Sequence, residues 1–178
     1  MTILFEIEQR DPVLYRQQTR KSTWLVLALF ALLAMGLSSV LVAVLGQPEV
    51  SNFRWNLTGV LLGLALTVVI VRFGLWHREI MAPAVYGWRL KRSLMRVTNI
   101  MHQVKAGVAQ HDPEAMQVLR FYHLGLLEMH RLDGNSSALE DLVAEREQLR
   151  EAMQVQGLQT ECYQLHQQWL QAVKAIRV

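Results

Sequence analysis

The chain has 178 residues, 52% of them hydrophobic and 19% charged, fewer charges than the roughly 25% of an ordinary soluble domain. That balance, with a mean hydropathy of +0.16, argues against an intrinsically disordered or nucleic-acid-coating protein. The formal net charge of +3 conceals an asymmetry: residues 1–96 hold eleven Lys and Arg against five Asp and Glu, and residues 97–178 hold seven against ten. The single Cys162 excludes an intramolecular disulfide framework and a Cys-rich zinc site.

Met1 to Arg10 alternate enough for a strand or a short amphipathic segment and take no assignment. Asp11-Pro12 reads as a helix N-cap followed by proline at the first helical position. The helix is expected to run on into Thr23–Leu45, 23 consecutive uncharged residues, about 34 Å of helix against a hydrocarbon core of about 30 Å. Arg20 and Lys21 precede this run as they would in a secretory signal. The run is too long for one and ends Val44-Leu45-Gly46-Gln47-Pro48, without a small-residue cleavage site, so the segment is expected to stay.

A second span is expected from Trp55 to Trp76, with Arg72 one turn inside its end, where a guanidinium snorkels to the headgroups. Trp24, Trp55 and Trp76 sit at span ends, where indoles favour the interface. Gly46 to Asn56 makes a short link and hence an antiparallel hairpin. Arg54 is the only basic residue of the link, whereas both outer flanks are rich in Arg and Lys, so both termini should face the cytoplasm. Gly59, Gly63 and Thr67 line one face of the second span with small residues. Two readings stand: packing against the small face of the first span at Ala31, Ala34 and Ser38, or a homo-oligomer seam.

From His77 to Val178 a cytoplasmic bundle of about four helices is expected. Leu90, Leu94, Val97, Met101, Val104 and Val108 recur at alternating spacings of four and three, an apolar seam of heptad type on one helix. His111-Asp112-Pro113-Glu114 opens another helix, Pro113 to Leu132, which is apolar on more than one side and should be the most buried. Asp133-Gly134-Asn135 ends it. Ser137 to Glu140 reads as a capping box for a helix ending at Gly157. A last helix is expected over Thr160–Ile176, with Cys162, Leu165, Trp169, Val173 and Ile176 inward. No run reads as a confident strand. The division is thus 1–76 for the N-terminal segment and hairpin (spans about 23–45 and 55–76) and 77–178 for the bundle; the fold class is all-α.

Catalytic signatures are lacking: no phosphate-binding Gly-rich loop, Walker lysine, Gly-x-Ser-x-Gly elbow or Cys-x-x-Cys pair occurs. The expectation is a non-enzymatic protein with no cofactor. His102, His123 and His130 are weak candidates for a metal, since seven residues separate the latter two and no carboxylates stand in register. The basic cluster of Arg89, Lys91, Arg92 and Arg96 is more informative. Arg89, Arg92 and Arg96 share a helix face just after the second span, with Lys91 on another. Such a juxtamembrane cluster is drawn to anionic headgroups or docks an acidic partner; nucleic acid is not expected, the distal region being net negative. Spans free of ionisable groups apart from Arg72 argue against a transporter.

Three stretches, Ser51–Asn56 (SNFRWN), Ala82–Lys105 (APAVYGWRLKRSLMRVTNIMHQVK) and His130–Ser137 (HRLDGNSS), together resemble a bacterial family of small membrane proteins catalogued as a domain of unknown function. The resemblance covers nearly the whole chain. It implies a bacterial inner membrane and transfers no catalytic residue, substrate or cofactor. The expected role is an accessory, scaffold or regulatory protein with a cytoplasmic helical domain. The alternatives are a self-assembling membrane homo-oligomer using Gly59 and Gly63, and a ligand or metal sensor using the histidines.

Overall fold

The structure, a computed structural model, describes residues 2–135 and 139–176, with backbone alone at 139–142. In chain order the elements are β1 (Ile3–Glu6), α1 (Pro12–Leu45), α2 (Phe53–Val69), α3 (Ala82–Thr98), α4 (Met101–Ala109), α5 (Pro113–Asp133), α6 (Leu139–Val155), β2 (Gln164–His166) and α7 (Gln167–Lys174). A π-helical turn, Ile70–Leu75, continues α2, and a 3₁₀ turn, Glu79–Met81, precedes α3. The described chain is helical apart from one two-stranded ribbon. It divides into two compact units: Gln17–Val85, and Met1–Arg16 together with Tyr86–Val178.

The first unit is the hairpin. Asp11 caps α1 as expected, its carboxylate accepting from the Leu14 amide at 2.7 Å, and the helix runs unbroken through Leu45. Both α1 and the continuous stretch Phe53–Leu75 are long and apolar enough to cross a membrane, and only 6% and 17% of their most apolar windows are buried. A core helix of a soluble protein would be mostly covered. Here Leu32, Met35, Val40 and Val44 on α1, and Leu61, Leu64, Val68 and Phe73 beyond it, are exposed. The link is shorter than expected, because Asn52 closes it. Its side chain accepts from the Gln47 amide at 3.1 Å and donates to the Gln47 carbonyl at 3.3 Å, so α2 starts at Phe53, before the apolar run does.

The small stripe packs inside the chain. A Cβ added at Gly59 would lie 2.4 Å from the Ser38 Cα, and one at Gly63 would lie 2.7 Å from the Ala34 Cα. The two backbones approach as closely as glycine permits. Thr67 is buried on the same stripe and its hydroxyl donates to the Gly63 carbonyl at 2.7 Å. Across the seam the Ser38 hydroxyl donates to the Asn56 carbonyl at 2.9 Å. The face that a Gly59–Gly63 oligomer would use is therefore occupied by α1 of the same chain.

The second unit is built around α5, which buries Met116, Val118, Phe121 and Leu132 among others and packs against α4, α6 and α7. Asp112 caps it, accepting from the Ala115 amide at 2.7 Å, and Gly134 ends it at φ 73°, a left-handed C′ residue. Two expectations change. The heptad seam is split between α3 and α4 by a turn at Asn99-Ile100, where the Thr98 hydroxyl bonds back to the Leu94 carbonyl and the Thr-Asn pair disfavours helix interior. The seam survives the break: Leu90, Leu94, Val97 and Val104 are all buried. The last helix is shorter than Thr160–Ile176, since Gln164–His166 is a strand instead. It pairs antiparallel with β1, Phe5 opposite Leu165 and Glu6 opposite Gln164, and the Ile7 amide extends the ladder to the Tyr163 carbonyl at 2.8 Å. Burial at Cys162, Leu165 and Val173 is as expected; only the backbone differs. The capping box at Ser137 to Glu140 lies outside the described residues and side chains.

Replacing Gly59 by Val forces two helix backbones apart and is expected to destabilise the hairpin by about 1–3 kcal/mol, the usual range for overpacking. Gly36→Val, where nothing lies within 4 Å of an added Cβ, serves as the control. Thermal unfolding of both variants in detergent, read by circular dichroism, checks this: only Gly59→Val should lower the midpoint.

Candidate functional site

The sequence places Tyr86, Leu90, Leu94 and Val97 on one side of α3, and all four are buried. The opposite side is exposed and carries Trp88, Arg89, Lys91, Arg92, Met95 and Arg96. No Asp or Glu occurs anywhere in α3. A shallow groove of about 430 Å³ runs along this side, lined by Trp88, Lys91, Arg92, Met95, Arg96 and Asn99. Lys91 thus shares the groove with Arg92 and Arg96, whereas Arg89 is exposed but does not line it. The Arg92 guanidinium lies 5.0 Å from the centre of the Trp88 ring, a cation–π contact that holds an aromatic plate beside the charge. Lys91 also meets Asp133 at 3.3 Å in an exposed pair, of the kind worth little in water.

The N-terminal arm is fastened beside this helix. The Tyr86 hydroxyl accepts from the Glu8 amide at 3.0 Å and donates to the Glu8 carbonyl at 2.9 Å. Its burial pushes the phenol up to about 12, so it stays a neutral donor. Arg10 covers the same ring at 4.3 Å and pairs with Glu8 at 2.7 Å. Buried Glu128 on α5 accepts from the Arg10 amide at 3.3 Å and from both Arg131 nitrogens at 2.9 and 3.1 Å, while Arg131 donates to the Arg10 carbonyl at 2.7 Å. No periodicity announced this cluster; a Glu on the buried side of α5 was its one sequence signal.

Arg120 is a further residue that sequence reasoning passed over. It is buried on α5, its Nε donating to the Thr160 carbonyl at 2.7 Å and its Nη1 to the Arg146 carbonyl at 3.3 Å. Burial lowers its pKa from the ordinary value, and the nearby Arg146 charge adds to this. The signal was a lone arginine between Leu119 and Phe121.

The three histidines lie in different surroundings: His102 is exposed, His123 buried and His130 half-buried. Among the described residues no group of three His, Cys, Asp or Glu side chains is placed to hold a metal ion. His123 lines a cavity of about 310 Å³ with Lys105, His111 and Glu145, its Nε2 3.9 Å from the Glu145 carboxylate and its buried Nδ1 without a hydrogen-bond partner among the described residues. Burial pulls its pKa down to about 4, against the weaker pull of Glu145 upward. The arrangement is a neutral imidazole beside one carboxylate, not a chelate.

Two measurements test these placements. Tyr86→Phe leaves the Glu8 amide without its acceptor and is expected to destabilise the distal unit by about 1–2 kcal/mol, seen as a lower melting midpoint. For His123, the folded state holds the imidazole neutral down to about pH 4, while the unfolded chain takes up its proton near 6.5. Stability should therefore fall by about 3 kcal/mol as pH drops from 7 to 4 through this group. Melting curves of His123→Leu across that range should show a correspondingly shallower fall than the wild-type chain; parallel curves would refute the assignment.

Neither a curated protein nor a solved structure matches the chain. A family model does, across residues 5–170, and it takes in the N-terminal arm, both apolar helices, the basic face of α3 and nearly all of the distal unit. The chain belongs to the family described as Protein of unknown function (DUF3087).

Proposed function

We propose that the protein is a non-enzymatic accessory or scaffold of the bacterial inner membrane: the hairpin crosses the bilayer twice and the distal unit is presented in the cytoplasm. The observation that carries this reading is the pairing of β1 with β2. Residues before the first apolar helix and residues after the second belong to one folded unit, which supports placing both in one compartment. Two spans satisfy that requirement; one or three do not. The Lys and Arg excess on the outer flanks, against Arg54 alone in the link, selects the cytoplasm. Bare Leu, Val and Phe along both helices match hydrocarbon, and Arg72, 5.5 Å from the Trp76 ring, matches the headgroup level. The anionic leaflet is the partner of Arg89, Lys91, Arg92 and Arg96 in this reading, and a protein partner is taken up by the distal unit.

Fluorescent-protein and alkaline-phosphatase fusions at each end of the chain test it. Fluorescence without phosphatase activity is expected at both ends, with the protein remaining in the membrane pellet until detergent is added. Phosphatase activity at either end, or release into buffer, overturns it. Crosslinking in native membranes then separates the scaffold, which links to other proteins, from a homo-oligomer, which links only to itself.

A further inference from the structure

A second groove, of about 410 Å³, lies between the end of α3 and α7, floored by Leu4, Ile100 and Leu170 and edged by Gln167, Gln171 and Lys174. It shares Arg96 and Asn99 with the groove along α3, so the two are continuous at those residues. Lys91, Arg92, Arg96 and Lys174 line the combined surface, and no Asp or Glu does. Trp88 and Met95 stand exposed at one end, 47% and 63% accessible. Cations flanked by an exposed indole and a thioether, with amides between, match a surface where phosphate meets acyl chain. Lys174 reaches this place only because β2 fastens the start of α7 to the N-terminal arm, the Gln167 amide donating to the Thr2 carbonyl at 3.1 Å.

We infer that the two grooves form one docking surface for the phosphate headgroups of an anionic lipid leaflet, running from Trp88 across Arg96 to Lys174. The inference rests on the membrane-anchored reading above and extends its lipid contact from one helix to a face of the folded unit. Charge complementarity decides the occupant: among the described residues the lining carries four cations and no acid, with Asp133 beside Lys91 alone, and in a chain whose second apolar helix ends shortly before α3 it meets anionic headgroups at high local concentration. Each basic residue near such a leaflet adds to the attraction, and salt screens it.

The test is hydrogen exchange of the full chain in nanodiscs of phosphatidylcholine alone and of phosphatidylcholine mixed with phosphatidylglycerol. In the mixed discs, amides of 88–99 and of 167–174 should exchange about tenfold more slowly, the equivalent of about 1.4 kcal/mol, and added salt should reverse the effect. The Arg96→Gln/Lys174→Gln variant, folded by circular dichroism, should lose the difference in both segments. Inorganic phosphate added to neutral discs should not reproduce it. Protection by phosphate alone, or protection of α3 without α7, overturns the inference while leaving the anchored reading intact. Equal exchange in both discs overturns it as well. A chain that does not enter discs at all defeats the anchored reading itself.

Discussion

One constraint organises the molecule: the strand at residues 3–6 closes on the strand at residues 164–166, although almost the entire chain lies between them. Everything from Gln17 to Val85 is thereby an excursion out of a unit whose two parts must find each other. A short ribbon of this kind is marginal in water on its own. It persists here because Leu165 is fully buried in the distal core, joined there by Ile7 just past the end of β1, and because Glu128, Arg131 and Tyr86 fasten the arm beyond the strand. Loop closure over so long a connection adds little more entropy than over a moderate one. An excursion made of two long helices packed on each other also samples far fewer conformations than a flexible loop would.

The hairpin follows a different logic from the distal unit. For two apolar helices long enough to cross a membrane, apolar contact would give no advantage to association in lipid, so close backbone approach and hydrogen bonding decide it. Gly59 and Gly63 supply the approach, and the Ser38 hydroxyl bonds across the seam. In the distal unit, apolar burial is the main driving force, and the buried charged groups Arg120 and Glu128 enter the core with partners. Arg120 takes two backbone carbonyls and Glu128 takes an arginine and an amide. His123 accommodates its burial by staying uncharged, which is how an ionisable group avoids the cost of an unpaired charge.

Elements governed by local rules were legible from sequence, and those decided by distant partners were not. The capped start at Asp11-Pro12, the start at Asp112-Pro113 and the stop at Gly134 each depend on a few adjacent residues, and each stands where local chemistry puts it. The apolar runs of the hairpin need no partner to be read. By contrast, Cys162, Leu165 and Val173 fall at helical spacings, which read as one helix throughout; that Gln164–His166 is a strand instead is decided by its pairing with β1, far away in sequence. The turn at Asn99 is a milder case, since a seam of period three to four continues through it and only the Thr-Asn pair marks the break. The basic residues of α3 were visible as a cluster. Their continuation to Lys174 was not, because that neighbour is delivered by the ribbon.

Charge in this chain therefore does two separable things. Arg10 and Arg131 are committed to Glu8 and Glu128, Arg16 donates to the Leu132 carbonyl at 3.2 Å at the end of α5, and Arg120 is committed to carbonyls in the core. Arg10 and Arg16 count toward the basic flank before the first apolar helix in any tally of sequence, yet all four hold the fold together and offer little to a ligand. Arg92, Arg96 and Lys174 are different: they are exposed and line acid-free grooves. A count of Lys and Arg near a span predicts which side of the membrane a loop occupies. Which cations then remain available to a ligand depends on the hydrogen-bonding needs of the folded unit, which claims its share first, Arg10 on Glu8 at the clasp and Arg16 at the end of α5.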